Sequence, residues 1–314
     1  MNKINDYKNG EEMNLDVIIK RSDLRVAKNG KNYLSLVFED KSGQIPGKYW
    51  DSSEGDATNF KIGTVTHLVG KRDNYQGNPQ VNISSLKVLD PNSIDMSQFL
   101  QTAPISAEDM EDQMEGLFLQ ITNGHWNRIV RYLYKKYHDQ FYISPAAKIN
   151  HHDFRGGLAY HTLSMAKLAE KICDQYPQVD QALLLTGACL HDLGKVIELG
   201  GSVDVEYTFE GKMLGHITIV DEEIVSAANE LDISLESEDM ILLRHMVISH
   251  HGLLEYGSPE RPQLLEAELL HEIDMIDASI NMITKALDRT EEGSFSERIF
   301  GLDNRTFYKR NTNS

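Results

Sequence analysis

Histidine and aspartate crowd one part of this chain. Nine of the twelve histidines fall between positions 151 and 271. The densest element is His191-Asp192-Leu193-Gly194-Lys195, which ends an apolar helical stretch that begins at Gln181. Around it in sequence stand His161 in Gly156-Gly157-Leu158-Ala159-Tyr160-His161-Thr162, His216 in Gly215-His216-Ile217, the pair His250-His251 before Gly252, and Asp274 on a late helical stretch. Imidazole and carboxylate together suit borderline divalent metals such as manganese, iron, cobalt or zinc. One carboxylate can bridge two such ions while imidazoles fill the remaining positions, which leaves a bridging water or hydroxide as a nucleophile for hydrolysis. A lone histidine on an apolar helix is ordinarily a hydrogen-bonded core residue, and an adjacent His-Asp pair means little alone. Here five separated segments each carry such a residue inside, or at the end of, an apolar helix. Burying them all without a metal would leave several unsatisfied, at roughly 1–3 kcal/mol each. The pattern predicts a metal centre.

The elements that must position these groups are helical. Ser106-Ala107-Glu108-Asp109 reads as a capped helix start, and apolar stripes continue through Ile129–Tyr134, Leu158–Ile172, Gln181–Leu190, His216–Leu231, Glu238–Ser249 and Ala267–Leu287. The first ninety residues read differently. Leu15–Ile19, Tyr33–Phe38, Ile45 with Lys48–Trp50, Thr64–Gly70 and Val81–Ile83 are short β-branched and aromatic runs, separated by turns such as Lys28-Asn29-Gly30-Lys31 and the polar loop Asn74–Pro79. That spacing predicts a small barrel of about five strands. Residues 91–104 begin and end with proline and read as a linker. The expected layout is a multidomain α+β chain: a small β-barrel over 1–90, the linker, and an all-α domain over 105–314 with its metal-site core at 151–290.

Composition sets the outer limits. The chain has 314 residues, 40% hydrophobic and 25% charged, with no run of apolar residues long enough for a membrane helix. Its first segment, MNKINDYKNGEEMNLDV, has no apolar core of the secretory kind. Cys173 and Cys189 sit in apolar helical patterns and read as core residues of a reducing compartment, so a cytoplasmic location is expected. The net charge of −17 argues at first against a polyanionic partner, but residues 1–90 carry 13 Lys+Arg against 12 Asp+Glu. The acidity lies C-terminal, and the first ninety residues are the plausible contact for nucleic acid.

Taken together, GGLAYHTLSMA, HDLGK, GHI, SHHGLLEYGSP and IDMIDA resemble the HD-domain phosphohydrolases, whose pattern is H…HD…H…H…D. The chain is more closely similar to the YhaM family of 3′-to-5′ exoribonucleases. That resemblance runs through Glu39-Asp40-Lys41-Ser42-Gly43 and on to the tail Leu302-Asp303-Asn304-Arg305-Thr306-Phe307-Tyr308-Lys309. It implies two divalent ions, manganese by family likeness, with iron or cobalt not separated from it by the residue types. His161, His191, Asp192 and Asp274 would hold the first ion. Asp192, His216, His250 and His251 would hold the second, with Asp192 shared and catalytic. Lys195 would face the phosphate and stabilise developing charge; its plainer reading is a helix C-terminal lysine answering the macrodipole. Asp277 is expected to support a ligating histidine. No motif claims His245 or His271, while His151 and His152, just before the glycine pair, read as a solvated loop, with contact to substrate as the alternative, and His67, His125 and His138 as structural.

The barrel resembles an oligonucleotide-binding (OB) fold, which holds single strands by stacking bases on aromatic rings beside a basic groove. Tyr33, Phe38, Tyr49, Trp50 and Tyr75 are interleaved with Lys28, Lys31, Lys48, Lys71 and Arg72. Strand alternation sends Tyr33 and Phe38 to opposite faces, with Phe38 inward, and splits Tyr49 from Trp50. The expected nucleic-acid residues are Tyr33, Lys31, Lys48, Trp50, Lys71, Arg72 and Tyr75. The family resemblance implies hydrolysis of single-stranded RNA to 5′-nucleoside monophosphates by a homo-oligomer, with single-stranded DNA left open as a second substrate. RNA would cross the barrel and present its 3′ end to the metals. An HD-type hydrolase of small nucleotides or cyclic dinucleotides, with the barrel as a sensor, is the main competing reading. A non-catalytic RNA-binding protein is a further one, disfavoured by the full ligand set.

Overall fold

The computed structural model describes residues 2–27, 30–75, 78–90, 99, 102–147, 152, 154–200 and 205–311, with the side chains of Tyr75 and Asn78 outside that description. Lys28, His151 and most of the expected linker 91–104 therefore lie outside the described residues. The chain forms two compact units, Met1–Thr102 and Ala103–Gly200 with Val205–Ser314.

The first unit is a closed five-stranded barrel of order β1-β2-β3-β5-β4, from β1 (Glu12–Val26), β2 (Asn32–Asp40), β3 (Gly43–Trp50), β4 (Val65–Tyr75) and β5 (Asn78–Val88). This is the strand order of an OB fold. Alternation builds its core. Met13, Leu15, Val17 and Ile19 of β1 point inward, where they meet Leu34, Leu36 and Phe38 of β2, Ile45, Leu68 and Val81. A register shift between Ile19 and Arg21 then reverses the parity and lets the long β1 turn the barrel corner. The strands are longer than their apolar runs suggest, because the outward residues of a barrel are polar. A short helix, α1 (Glu54–Asn59), was not expected; Ser53 caps it by accepting from the Asp56 amide.

The second unit is helical: α2 (Ala107–Phe118), α3 (Gly124–Lys136), α4 (His138–Phe141), α5 (Gly157–Gln175), α6 (Gln181–Leu190), α7 (Lys195–Glu198), a two-stranded ribbon of β6 (Leu199–Gly200) and β7 (Glu206–Tyr207), α8 (Phe209–Glu230), α9 (Glu238–Ser249) and α10 (Leu265–Asp288). Helix α6 is apolar all round, and residues Ala182 to Leu190 are buried, so it forms the axis on which α3, α5, α9 and α10 pack. Cys189 belongs to this core, where burial pushes its thiol up to about 12. The helix ends are set by side chains that accept orphan amides, among them Ser106, Asn123, Asp180, Thr208 and Ser237. Among the described residues no helix is long and apolar enough to cross a membrane.

Candidate metal centre

Every expected ligand of the helical unit arrives at one place. His161 lies in the second turn of α5, and His191 is the C-cap of α6, so the buried axis delivers His191 and Asp192 to the middle of the unit. His250 caps the end of α9 in the same way, with His251 next to it, and Asp274 sits in α10. His216 depends on glycine. The segment 209–230 is two helices joined at Gly215, whose φ of 75° and ψ of 152° break the helical path and re-aim it. A helical periodicity that restarts at His216 is how this break shows in the sequence.

The geometry of the cluster centres on Asp192. Its Oδ2 lies 3.4 Å from His191 Nε2 and 3.6 Å from His161 Nε2, whereas its Oδ1 lies 3.4 Å from His216 Nε2 and 3.8 Å from His250 Nε2. His161 Nε2 is also 3.3 Å from Asp274 Oδ1. His216, His250 and His251 can each present a ligand atom within 4.8 Å of the others, as can His161, His191 and Asp192. Five imidazoles thus turn their Nε2 atoms inward, because each commits Nδ1 elsewhere. His161 Nδ1 donates to Asp277 at 2.7 Å and His216 Nδ1 to Glu198 at 3.2 Å. His191, His250 and His251 donate to the carbonyls of Ala188, Val247 and Tyr256 at 2.9, 2.6 and 2.7 Å. A fixed Nδ1–H leaves Nε2 as a metal-binding lone pair.

Whether these residues suit a metal is tested by what they leave unmet. Asp192 Oδ1, His216 Nε2 and His250 Nε2 are buried and have no hydrogen-bond partner. Three such orphans around one point are costly unless a cation satisfies them. The donor set of imidazole nitrogens and carboxylate oxygens fits a divalent ion.

Electrostatics favour the ligating protonation states for most of the set. Burial disfavours the charge on Asp192, but Lys195, His191 and His216 outweigh it and hold the carboxyl well below the usual range. Burial, then the neighbouring His251 and His191, push His250 down, and burial with His216 pushes His251 down, so both remain neutral. His161 differs. Burial opposes its charge, yet hydrogen bonds to Asp274 and Asp277 raise it to about 9, so an ion bound there would displace a proton.

Lys195 does not end a helix. It opens α7, is buried, and places Nζ 2.7 Å from Asp192 Oδ2. Two further acids and a histidine complete the surroundings. Glu198 was not anticipated, yet it accepts from both the backbone amide and the ring of His216; its only sequence signal is an acid within the apolar run of Val196, Ile197 and Leu199. Asp277 does support a histidine, as its spacing from Asp274 suggested. His152 corrects the sequence reading: instead of a solvated loop it is 3% exposed, with Nε2 2.7 Å from Asp277. His245 accepts from the Gln263 amide, and His271 donates to the His250 carbonyl. His67, His125 and His138 bond to Asp16, Asp239 and the pair Glu111 and Asp139.

Gly194 makes the centre compact. A Cβ there would lie 2.3 Å from the His216 carbonyl oxygen, a backbone atom that can yield only by moving His216. Gly194→Ala is expected to cost about 1–3 kcal/mol by overpacking, a fall on the order of 5 °C in thermal midpoint. A circular-dichroism melt checks this; an unchanged midpoint would contradict it.

On the barrel, Tyr33 pairs with Trp50 across β2 and β3, with ring centroids 4.9 Å apart. The Lys48 ammonium lies 5.8 Å from the Tyr33 centroid and 5.6 Å from that of Trp50. Trp50 is 54% exposed and Phe38 is fully buried, which matches the alternation argument. Register places Lys48, Asn82 of β5 and Lys71 of β4 in one row on the same face. Lys31 pairs with Asp51 at 2.7 Å, at the edge of this patch. Arg72 is not part of it. As the strand neighbour of Lys71 it turns the other way, and its guanidinium donates to the Ile4 carbonyl at 2.6 Å. The Tyr75 side chain lies outside the described residues.

A barrel of OB order followed by helices that converge histidines on one aspartate defines an HD-domain hydrolase, and residues 158–279 match the HD domain family. The chain belongs to the YhaM exoribonuclease family. It is 47% identical over 304 residues to the 3′-5′ exoribonuclease YhaM of Listeria welshimeri, covering 96% of each chain. It is 44% identical over 301 residues to the protein of that name from Bacillus licheniformis, covering 96% of this chain and 95% of that one. The HD domain makes this a divalent-metal-dependent hydrolase. The second OB-fold domain of replication protein A from Methanococcus maripaludis overlays 28% of this chain and 94% of its own, at 16% identity and a TM-score of 0.23. The barrel assignment rests on strand order rather than on that overlay.

Proposed function

We propose that this chain is a 3′-to-5′ exoribonuclease that hydrolyses single-stranded RNA to 5′-nucleoside monophosphates at a pair of divalent ions divided by Asp192. Family membership supports the activity. The observation that carries the two-ion reading is the split of one carboxylate, with Oδ2 toward His161 and His191 and Oδ1 toward His216 and His250. His161, His191, Asp192 and Asp274 would hold one ion, and Asp192, His216, His250 and His251 the other. When bound, such ions supply positive charge at the reacting phosphate and acidify a water.

The chain's own residues do the rest. Asp277, Glu198 and the three backbone carbonyls fix the rings so that no ligand must reorganise during turnover. Asp192 and Asp274 are the two carboxylates of the set, so the loaded centre retains net positive charge toward a phosphodiester. Lys195, whose ammonium is kept charged by Asp192 against the effect of burial, adds a further cation where charge develops. On the barrel, Tyr33, Trp50 and Lys48, with Lys31 and Lys71 near them, offer a stacking surface and positive charge for a single strand. Manganese, homo-oligomeric assembly and a cytoplasmic site, which the unpaired Cys173 and Cys189 suit, belong to the same reading; single-stranded DNA is a substrate to test beside RNA.

The direct test is incubation of 5′-labelled single-stranded RNA with the protein and manganese. A ladder shortening from the 3′ end is expected, and chelation should stop it. Hydrolysis of small cyclic nucleotides with RNA left intact would favour the competing reading, and endonucleolytic fragments would contradict attack from the 3′ end. Trp50→Ala is expected to weaken binding of a twenty-nucleotide RNA by about 5- to 150-fold, the equivalent of 1–3 kcal/mol for one lost stacking partner. Fluorescence anisotropy measures it, and unchanged affinity would remove the barrel face from the account.

A further inference from the structure

One buried group next to the centre has no part in the ligand set. His152 lies at positive φ, 49°, with its backbone amide donating to Asn281 Oδ1 at 3.1 Å and its carbonyl accepting from the Ala146 amide at 3.1 Å. Its ring is packed edge-on to Phe154 and Tyr160, at centroid distances of 5.6 and 5.5 Å. Its Nε2 meets Asp277 Oδ2 at 2.7 Å, and His161 Nδ1 meets the same oxygen at 2.7 Å. A carboxylate oxygen can only accept, so both rings donate to it. Distances of 2.7 Å are direct, charge-assisted hydrogen bonds, which leaves this trio as a chain of contacts rather than a cage around an ion. At its far end Asn281 Nδ2 faces His152 Nδ1 at 3.4 Å. Asp274, Asp277 and Asn281 are spaced three and four residues apart on α10, hence on one stripe of that helix.

We propose that His152 is a positioning residue for the metal centre. Asn281 fixes its backbone and ring, His152 supplies the second donor that pins the Asp277 carboxylate, and Asp277 in turn holds His161 with Nε2 aimed at Asp192 and Asp274. A carboxylate with a single imidazole partner can swing; one held between two donors cannot. Loss of His152 therefore loosens one side of the centre only, the side served by Asp192 Oδ2. The proposal rests on the two-ion reading above, and its test separates the two.

The test titrates the full-length chain with manganese alone and follows unbound ion by its electron-spin resonance, with no substrate present. Wild-type protein is expected to take up two ions. In His152→Ala one of them weakens by about 10- to 100-fold while the other keeps its affinity. His152→Gln, whose amide can still donate to Asp277, recovers part of the loss. Combined with His161→Ala, the His152 substitution adds little further loss, since it acts through that ring. Should His152→Ala not fold, Asn281→Ala carries the test, with a smaller weakening of the same ion. Two unweakened ions in His152→Ala, or in the Asn281 variant, overturn the proposal, as does an equal loss at both ions. A third wild-type ion lost in His152→Ala also overturns it, by making His152 a ligand. A wild-type protein that holds one ion defeats the two-ion reading instead, and an unweakened ion in His152→Ala would still overturn the positioning role.

Discussion

Asp192→Ala is expected to abolish RNA hydrolysis while leaving binding of single-stranded RNA nearly intact. Asp192 is the one residue whose two oxygens face both halves of the histidine set, so its loss breaks the pair of sites rather than one of them. Losing the charge that such a pair concentrates on a phosphate forfeits several kcal/mol, a fall of at least roughly 10³-fold in rate. RNA binding should persist because the stacking face is built from β2 and β3 of the barrel. The substitution also strands the buried Lys195 ammonium, which sits 2.7 Å from Asp192. Unpaired buried charges are costly, about 3–5 kcal/mol. Asp192→Asn therefore accompanies it: the amide keeps the shape and one oxygen toward Lys195, but it cannot serve two cations. Single-turnover rates, metal content and a melting curve on both variants decide the matter. Substantial turnover with metal content unchanged would sink the two-metal assignment.

The second large effect concerns strand structure. Digestion of an RNA with a single-stranded 3′ tail is expected to halt a few nucleotides short of a GC-rich hairpin. The candidate ligands are deep: His161, His191 and His250 are fully buried and Asp192 is 2% exposed, so a rigid duplex is expected to be kept from them. The sequence holds no GxxxxGK[ST] loop of an ATP-driven motor, so strand separation must come from fraying and from binding each released base. Stacking returns roughly 1–3 kcal/mol per base. That is comparable with one DNA base-pair step, about 0.6–2.2 kcal/mol. Weak ends are then nibbled, while the strongest steps stall the enzyme. A denaturing gel reads the stall position. Smooth degradation through the stem, without ATP or any other protein, would mean an open cleft that admits duplex.

Much of this cluster was legible because histidine and aspartate are chemically distinctive against apolar helices. His161, His191 with Asp192, His216, His250 with His251, and Asp274 lie in five separate segments, each a polar interruption in or at the end of an apolar helix. The barrel was legible through alternation, which puts Phe38 inside and sets Tyr49 and Trp50 on opposite faces; Trp50 is the exposed one of that pair. What escaped depends on partners distant in sequence. His152 looks like half of a polar His-His pair until Asp277, 125 residues on, accepts from it. Glu198 looks like a helix-surface acid until the break at Gly215 brings His216 back over it. Arg72 reads as part of a basic stripe, but strand parity separates it from Lys71 and the N-terminal segment takes it up. Helix α1 escaped because Ser53-Glu54-Gly55-Asp56 reads equally well as a turn.

The measurement that bears most directly on the account is the electron-spin resonance spectrum of the protein loaded with two equivalents of manganese. Ions on opposite oxygens of one carboxylate are magnetically coupled, so an exchange-coupled multiline spectrum is predicted, and it should be lost in Asp192→Asn. Saturation at a single ion, or two equivalents that give only the six-line spectrum of isolated manganese, would contradict a centre divided by Asp192.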